Sequence, residues 1–329
     1  MRYNELPQTT LKVSNICIGT MTFADKVDEE EAKRCCDLAI DKGVNFFDTA
    51  DIYPGSPTAG AGSSEIFLGN ALEGKRDKVV IATKVGGGMD PRNGKFGGLS
   101  EEYVTQEVED SLKRLKTDYI DIYYAHFPDN KVTSREFVVT MNKLIDSGKI
   151  RYYGVSNFAA WKMCEMVFTA KELGLKPPVI TQNGYNMLTR GVEDEIVPFT
   201  DSYDMSVVAF NPLAGGMLTG KYQQNSEIKG NRLADNRGYR ARYYSELNRD
   251  AVDELTAMAE ELDMTLIEFA YRWLLSRKRL YAALLGFSSE KQLESNLNVL
   301  TEEKEISFPE EKIDKIWRDI TGNRFSVHR

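Results

Sequence analysis

Histidine and cysteine are scarce in this chain of 329 residues, and both shortages restrict its chemistry. Only two histidines occur, His126 and His328, so the multi-histidine ligand set of a typical catalytic metal site cannot be assembled, although carboxylate sites stay open. The four cysteines contain no C-x-x-C spacing, a usage typical of a reducing compartment. We therefore expect no bound metal.

Long apolar runs and an excess of positive charge are also missing. No run approaches the roughly 20 apolar residues that span a bilayer, and the polar N-terminus has no signal-peptide core. The net charge of −8 argues against a nucleic-acid groove. We expect a cytoplasmic protein without a membrane span or nucleic-acid partner; peripheral membrane association stays open. Basic residues cluster once, and this cluster is either a solvated loop or a lid over an anionic ligand: Arg232, Arg237, Arg240 and Arg242.

Eight short apolar runs alternate with longer amphipathic segments. Continuous apolar runs of this kind are typical of parallel strands covered on both faces. The predicted strands are 16–20, 45–49, 79–85, 119–125, 150–155, 179–182, 206–210 and 281–286. The predicted helices are 29–42, 64–72, 100–115, 134–147, 160–172, 193–202, 249–262, 267–276 and 290–300.

This alternation predicts a (β/α)8 TIM barrel that occupies residues 1–329 as a single domain. A doubly wound sheet is the alternative, but such a sheet normally carries G-x-G-x-x-G after its first strand, and no such motif opens a helix here. We predict an N-terminal hairpin over 1–14 that closes the bottom of the barrel. A C-terminal helix over 309–320 and a tail would follow the last barrel unit, and an insertion spans about 214–248.

Candidate acid–base residues fall at the ends of predicted strands. Asp48, Lys84 and His126 each follow an apolar run, and Tyr53 lies five residues beyond Asp48. A parallel barrel gathers these strand ends into one pocket. There an ammonium lowers the pKa of a phenol, a carboxylate keeps the ammonium charged, and an imidazole orients a carbonyl group. Each residue alone also has a structural explanation, but together they predict a proton donor for carbonyl reduction.

The chain resembles the aldo-keto reductases from about residue 11 to residue 300. The last barrel unit, which includes Gly286-Phe287-Ser288-Ser289, is similar to that of voltage-gated potassium-channel β subunits and their bacterial relatives. Other matching motifs occur in order along the chain: Gly19-Thr20-Met21-Thr22-Phe23, Asp48-Thr49-Ala50-Asp51-Ile52-Tyr53, Ser64-Glu65, Ala82-Thr83-Lys84, His126-Phe127-Pro128-Asp129, Gly154-Val155-Ser156-Asn157-Phe158, and Asn211-Pro212-Leu213-Ala214-Gly215 through Lys221-Tyr222.

The resemblance implies NADPH bound in an extended form across the barrel mouth. It makes Tyr53 the proton donor, Lys84 and Asp48 its tuning pair, and His126 the group that orients the substrate. Ser156, Asn157 and Gln182 would bond the nicotinamide carboxamide, and Phe210 would stack on the ring. Lys221 would face the pyrophosphate, and Ser288 the 2′-phosphate. The other implied cofactor contacts are Thr20, Met21, Asp48, Asn211, Pro212, Leu213, Gly215, Gly286, Gln292 and Asn296.

Two motifs depart from common nucleotide-binding patterns. Gly215-x-x-x-x-Gly220-Lys221 fits most of a P-loop, but Tyr222 replaces the required Ser or Thr, which disfavours a nucleoside triphosphatase. The basic residue usual near Ser288 or Gln292 is missing, so we expect only a modest preference for NADPH over NADH.

Three functions therefore compete. The first is NADPH-dependent reduction of an aldehyde, a ketone or a sugar-like substrate. The second is a regulatory or redox-sensing subunit that binds NADPH and turns over slowly, as the channel-subunit resemblance implies. The third is a metal-dependent barrel hydrolase or isomerase, which the histidine count disfavours. Self-association into a homo-oligomer is a further, open expectation.

Overall fold

Two short antiparallel strands, β1 (Tyr3–Glu5) and β2 (Lys12–Ser14), precede eight parallel strands that close into a barrel in the computed structural model. The structure describes residues 1–55, 59–87, 97–222, 237–302 and 304–322. The barrel strands are β3 (Ile16–Gly19), β4 (Phe46–Asp48), β5 (Val80–Val85), β6 (Ile120–Ala125), β7 (Ile150–Ser156), β8 (Ile180–Gly184), β9 (Ser206–Phe210) and β10 (Leu280–Leu285). β10 pairs with both β3 and β9, which closes the sheet and confirms the predicted TIM barrel.

Helices cover the outside of the barrel: α1 (Glu29–Asp41), α2 (Ser63–Ala71), α3 (Glu101–Leu115), α4 (Ser134–Asp146), α5 (Ala160–Leu173), α6 (Ile196–Ser202), α7 (Arg237–Tyr243), α8 (Glu246–Glu261), α9 (Leu266–Leu275), α10 (Glu290–Thr301) and α11 (Glu310–Thr321). Side-chain caps fix several starts. Thr133 and Glu136 form a reciprocal capping box at α4, and Ser100 accepts a bond from the amide of Tyr103 at α3.

Two predicted helix starts were wrong by three residues. The predicted helix 193–202 is a 3-10 turn, Gly191–Glu193, followed by α6, because the amides of Glu193 and Asp194 donate to the carbonyls three residues back instead of four. α8 begins at Glu246 instead of 249, because the Ser245 side chain accepts a hydrogen bond from the amide of Asn248. A polar cap thus extended α8 beyond its apolar periodicity.

The hairpin closes the lower end of the barrel, as predicted. Leu6, Leu11 and Val13 pack into the same buried cluster as inward-facing strand residues such as Cys17 and Ile122. A larger cluster lies between the outward faces of the strands and the helices. The alternation of inward and outward residues follows from the two-residue period of a strand.

Some predicted segments extend beyond the described residues. The C-terminal helix is α11, which packs against α8, whereas the tail from residue 323 lies outside the described part. Of the insertion, residues 214–222 and α7 are described and 223–236, with Arg232, are not. Residues 56–58 and 88–96 are likewise outside the described part. Over the described ranges, no helix is long and apolar enough to cross a membrane.

Candidate active site

The upper inward-facing layer of the barrel carries polar side chains in place of the apolar ones below. Asp48 lies two residues after Phe46 on β4, Lys84 two residues after Ala82 on β5, and Gln182 two residues after Ile180 on β8. Strand periodicity therefore turns all three into the barrel, and all three are buried. The sequence pattern that places apolar residues in the lower core thus also positions this layer.

Asp48 and Lys84 form a fully buried ion pair in this layer. The Lys84 ammonium donates to Asp48 and to the Thr49 carbonyl at 2.7 Å, and Gln182 Nε2 donates to the second Asp48 oxygen at 2.7 Å. Burial lowers the pKa of Lys84, but Asp48 and Tyr53 raise it by more, so the net shift is upward. Lys84 therefore stays charged inside the barrel.

Tyr53 stands above this pair on the loop after β4. Its amide donates to the Ala50 carbonyl at 3.1 Å, and its carbonyl accepts from the amide of Ser64 at the start of α2. The Lys84 nitrogen lies 5.0 Å from the centroid of the Tyr53 ring. Burial raises the pKa of Tyr53 and Lys84 opposes that rise, yet the net shift is upward. Lys84 lowers the pKa of the phenol as expected, but desolvation of the phenolate outweighs this attraction.

His126 borders the same space from the end of β6. Its ring meets the Tyr53 ring edge-on, with centroids 5.7 Å apart, and stacks on Phe127 at 4.7 Å. Burial and the charge of Lys84 hold the pKa of His126 well below its usual range, so the imidazole is neutral. A Cβ on Gly87 would lie 2.5 Å from Nδ1, so glycine is required against this ring.

A buried charge cluster beneath the Tyr53 loop was not predicted. Glu65 accepts from Thr83 at 2.5 Å and from Arg114 at 2.6 Å, and Arg114 also pairs with Glu107. Asp51 accepts from the amide of Gly86 at 3.2 Å, which ties the Tyr53 loop to the loop after β5. Burial, Glu65 and Glu107 raise the pKa of Asp51 well above its usual range. The matching motifs contained Asp51, Glu65 and Thr83, but nothing in the sequence indicated that these side chains meet.

The polar layer continues around the barrel from β7 to β9. Asn157 has a left-handed backbone, with φ of 64°, and its side chain donates to the carbonyl of His126 at 3.1 Å and to Ser156 Oγ at 3.0 Å. A Cβ on Gly184 would lie 3.4 Å from the ring of Phe210, so that ring covers the end of β8. Ser156, Asn157, Gln182 and Phe210 thus surround one side of the space above Lys84.

The segment after β9 brings backbone and one cation to the mouth. Gly215 and Gly216 both have positive φ, and a Cβ on Gly216 would lie 3.6 Å from Lys221 Nζ. Among the described residues no carboxylate pairs with Lys221, and burial lowers the pKa of its ammonium. A partly desolvated cation beside two glycines with positive φ fits an anionic group.

Tyr239 of α7 covers part of that segment. A Cβ on Gly215 would lie 2.7 Å from its ring, and its hydroxyl donates to Asn211 Oδ1 at 3.2 Å. Tyr239 is also close enough to raise the pKa of Tyr53. Part of the insertion therefore reaches the mouth through Tyr239. The described arginines of the basic cluster, Arg237, Arg240 and Arg242, are exposed, so both the solvated loop and the lid over an anion stay predictions.

The start of α10 forms the opposite side of the mouth. Gln292 Oε1 accepts from the amide and hydroxyl of Ser288 at 2.9 and 3.1 Å. Asn296 is buried, and its Nδ2 has no hydrogen-bond partner among the described residues. Gly286 has open space where a Cβ would stand. An unpaired buried donor beside open backbone fits a nucleotide base and ribose.

The remaining residues predicted to contact the cofactor differ in how far they are buried. Thr20 is fully buried, and its hydroxyl contacts the Asp48 carbonyl at 3.1 Å and Ser64 Oγ at 2.8 Å. Its amide donates to the Asp48 carbonyl at 3.0 Å and its carbonyl accepts from the Phe23 amide at 2.9 Å, so its polar atoms are all engaged within the protein. Met21 is partly exposed beside it. Pro212 and Leu213 lead from β9 into the glycine segment.

Comparison with known proteins agrees with this geometry. The profile of the Aldo/keto reductase family matches residues 15–317. The chain belongs to the aldo/keto reductase family. Its relatives include a "Probable voltage-gated potassium channel subunit beta" of Oryza sativa subsp. japonica and one of Arabidopsis thaliana, each 34% identical over 91% of both chains. An "Uncharacterized oxidoreductase YrpG" of Bacillus subtilis (strain 168) is 35% identical over 94% of this chain and 93% of that protein.

Family membership confirms the predicted resemblance and makes the protein an NAD(P)H-dependent oxidoreductase. In this aldo/keto reductase, the two glycines with positive φ, the Lys221 ammonium and the unpaired Asn296 amide fit the pyrophosphate and adenosine of such a cofactor. No cluster of three or more potential metal-binding side chains occurs in the described part of the chain.

Proposed function

We propose that this aldo/keto reductase reduces an aldehyde or ketone to an alcohol with NADPH, using Tyr53 as the proton donor. The arrangement that carries the proposal is the buried Asp48–Lys84 pair beneath Tyr53, with neutral His126 edge-on beside it. When bound, the cofactor supplies the hydride that adds to the carbonyl carbon. The carbonyl oxygen receives the Tyr53 proton, which completes the alcohol.

Each protein group has a defined part in this proposal. The raised pKa of Tyr53 keeps the phenol protonated until a substrate oxygen develops negative charge. Lys84, held charged by Asp48, then stabilises the phenolate that remains. His126, neutral at physiological pH, donates a hydrogen bond that orients the carbonyl without competing as an acid.

The cofactor would lie across the upper layer of the barrel. Ser156, Asn157 and Gln182 would bond the carboxamide, with the ring of Phe210 against the nicotinamide. Lys221 and the backbone of 211–216 would bind the pyrophosphate. The adenosine end would contact Ser288, Gln292 and Asn296. Asn296 supports this direction, because its buried donor requires an acceptor.

A second candidate is an NADPH-binding regulatory subunit with slow turnover. The names of the two plant relatives favour this candidate, since each is a probable voltage-gated potassium channel subunit beta. An intact Tyr53 arrangement is compatible with both functions. The rate of the chemical step therefore distinguishes them.

Tyr53→Phe tests the assignment. We expect the variant to bind NADPH with nearly unchanged affinity and to lose about 10²–10⁴ in turnover, because the phenol acts only in proton transfer. NADPH oxidation by the wild type and the variant would be measured across a carbonyl panel, with binding followed by calorimetry. Tyr3→Phe is the matched control, since it removes a hydroxyl far from the mouth.

The outcomes separate the candidates. Rapid wild-type turnover of any carbonyl that is lost in Tyr53→Phe supports the reductase. Tight NADPH binding with negligible turnover of the whole panel supports the regulatory subunit. Equal turnover by wild type and Tyr53→Phe would exclude Tyr53 as the donor.

A further inference from the structure

A carboxylate from α1 occupies the first backbone donor of α10. Glu31 Oε1 accepts from the amide of Glu290 at 2.8 Å, although the two residues lie 259 positions apart. Asp28 fixes Glu31 in turn, because Asp28 Oδ1 caps α1 by accepting from the Glu31 amide at 2.8 Å. The positive end of the α10 dipole is therefore already matched by a protein anion.

Three further donors at this helix start are also engaged. Gln292 Oε1 accepts from both donors of Ser288, and Ser289 Oγ accepts from the Gln292 amide at 3.3 Å. The Glu290 side chain adds a second carboxylate, paired with Arg34 Nε at 2.7 Å. Two carboxylates and one guanidinium thus border the end of the mouth where the adenosine would bind.

An independent feature indicates that a ligand binds along the same helix. Asn296 lies about two turns beyond the Ser289 cap and is only 5% exposed. Its Nδ2 has no acceptor among the described residues, and a buried amide without an acceptor is costly. α10 therefore offers an unmet donor for a base or ribose, while its N-terminus presents negative charge.

We propose that Glu31 sets the cofactor preference by opposing the 2′-phosphate of NADPH at the start of α10. The proposal rests on the function proposed above, which brings the adenosine end to this helix. NADH lacks that phosphate, so the Glu31 charge weakens NADPH binding while leaving NADH binding almost unaffected. The affinities for the two cofactors are then brought close together.

Glu31→Gln isolates the charge. A glutamine keeps the oxygen that accepts from the Glu290 amide, so the packing of α1 on α10 is preserved while the charge disappears. We expect the ratio of NADPH to NADH affinity to rise roughly two- to fivefold, in line with a partly exposed charge at a helix end. The rise should shrink at high salt, because the interaction is screened.

Calorimetric titration of both cofactors measures this ratio without catalysis. Glu30→Gln is the matched control, because Glu30 is exposed on the same turn and the variant has the same net charge. Arg34→Gln should act in the opposite direction, since it removes the guanidinium that pairs with Glu290 and interacts electrostatically with Glu31. Thermal unfolding of each variant checks that the fold is retained.

Opposite changes in Glu31→Gln and Arg34→Gln, with Glu30→Gln at the wild-type ratio, support the role of Glu31. An unchanged ratio in Glu31→Gln, or an equal rise in Glu30→Gln, overturns it and leaves the proposed function intact. A wild type that binds neither cofactor overturns both proposals.

Discussion

At Tyr53, two opposing effects act on one phenol. Burial makes the phenolate unfavourable and Lys84 makes it favourable, and burial prevails in the pKa of the resting group. A proton donor benefits from this balance, because the proton remains in place until the substrate oxygen can take it. Lys84 is then already positioned for the charge that appears in the transition state.

Asp51, two residues before Tyr53, should lower the stability of the protein as pH rises. Its pKa is raised by burial and by Glu65 and Glu107, so the folded state keeps a proton that the unfolded chain releases. Between the unfolded and folded pKa values each rise in pH therefore favours unfolding. Asp51→Asn mimics the protonated side chain and should be more stable than the wild type by an increment that grows from pH 5 to pH 8.

Urea unfolding at both pH values measures that increment. Asp25→Asn, at an exposed loop position, serves as the control and should show no pH-dependent gain. A difference between Asp51→Asn and wild type that is constant with pH would mean that Asp51 is ionised in the folded protein.

Among the elements, the hairpin β1–β2 separates stability from chemistry. It closes the lower end of the barrel through Leu6, Leu11 and Val13, whereas the candidate active site lies at the opposite, C-terminal ends of the strands. Leu6 is 1% exposed, so truncation leaves a cavity in the barrel interior. The sequence predicted that residues 1–14 close the barrel, because they precede its first strand. It did not predict that Leu6, Leu11 and Val13 are the residues that pack inside, because this depends on the folded hairpin.

Leu6→Ala should therefore destabilise the protein by about 2–5 kcal/mol and leave turnover of the folded enzyme unchanged. Chemical denaturation gives the first quantity, and steady-state rates below the unfolding transition give the second. Lys12→Ala, exposed on the same hairpin, should alter neither. A loss of turnover in folded Leu6→Ala would show that the lower core positions the upper layer.

For the whole molecule, periodicity predicted the strands to within two residues at each end, because β-branched apolar runs have few alternatives in an α/β chain. Asp48 and Lys84 meet at the mouth because their strands are neighbours and the two-residue period turns both side chains into the barrel. Tyr53 and His126 follow the ends of strands and reach the same space. Contacts between distant helices had no such signal. Glu31 with Glu290 and Arg114 with Glu65 depend on long side chains whose directions are set only by the packed barrel.

Cofactor binding should stabilise the barrel as a whole, because the proposed contacts come from strands and loops on every side of the mouth. At 100 times its dissociation constant, a ligand that binds only the folded state adds about 2.7 kcal/mol. A chain of 329 residues has an unfolding entropy of roughly 0.7 kcal/mol per kelvin, so the expected rise in Tm is about 4 °C.

Scanning calorimetry of the wild type and Lys221→Ala at one NADPH concentration measures this rise in Tm. Because Lys221 is exposed and has no carboxylate partner among the described residues, its truncation should reduce the rise while leaving the cofactor-free Tm nearly unchanged. An equal rise in both proteins would mean that the pyrophosphate lies away from the segment after β9.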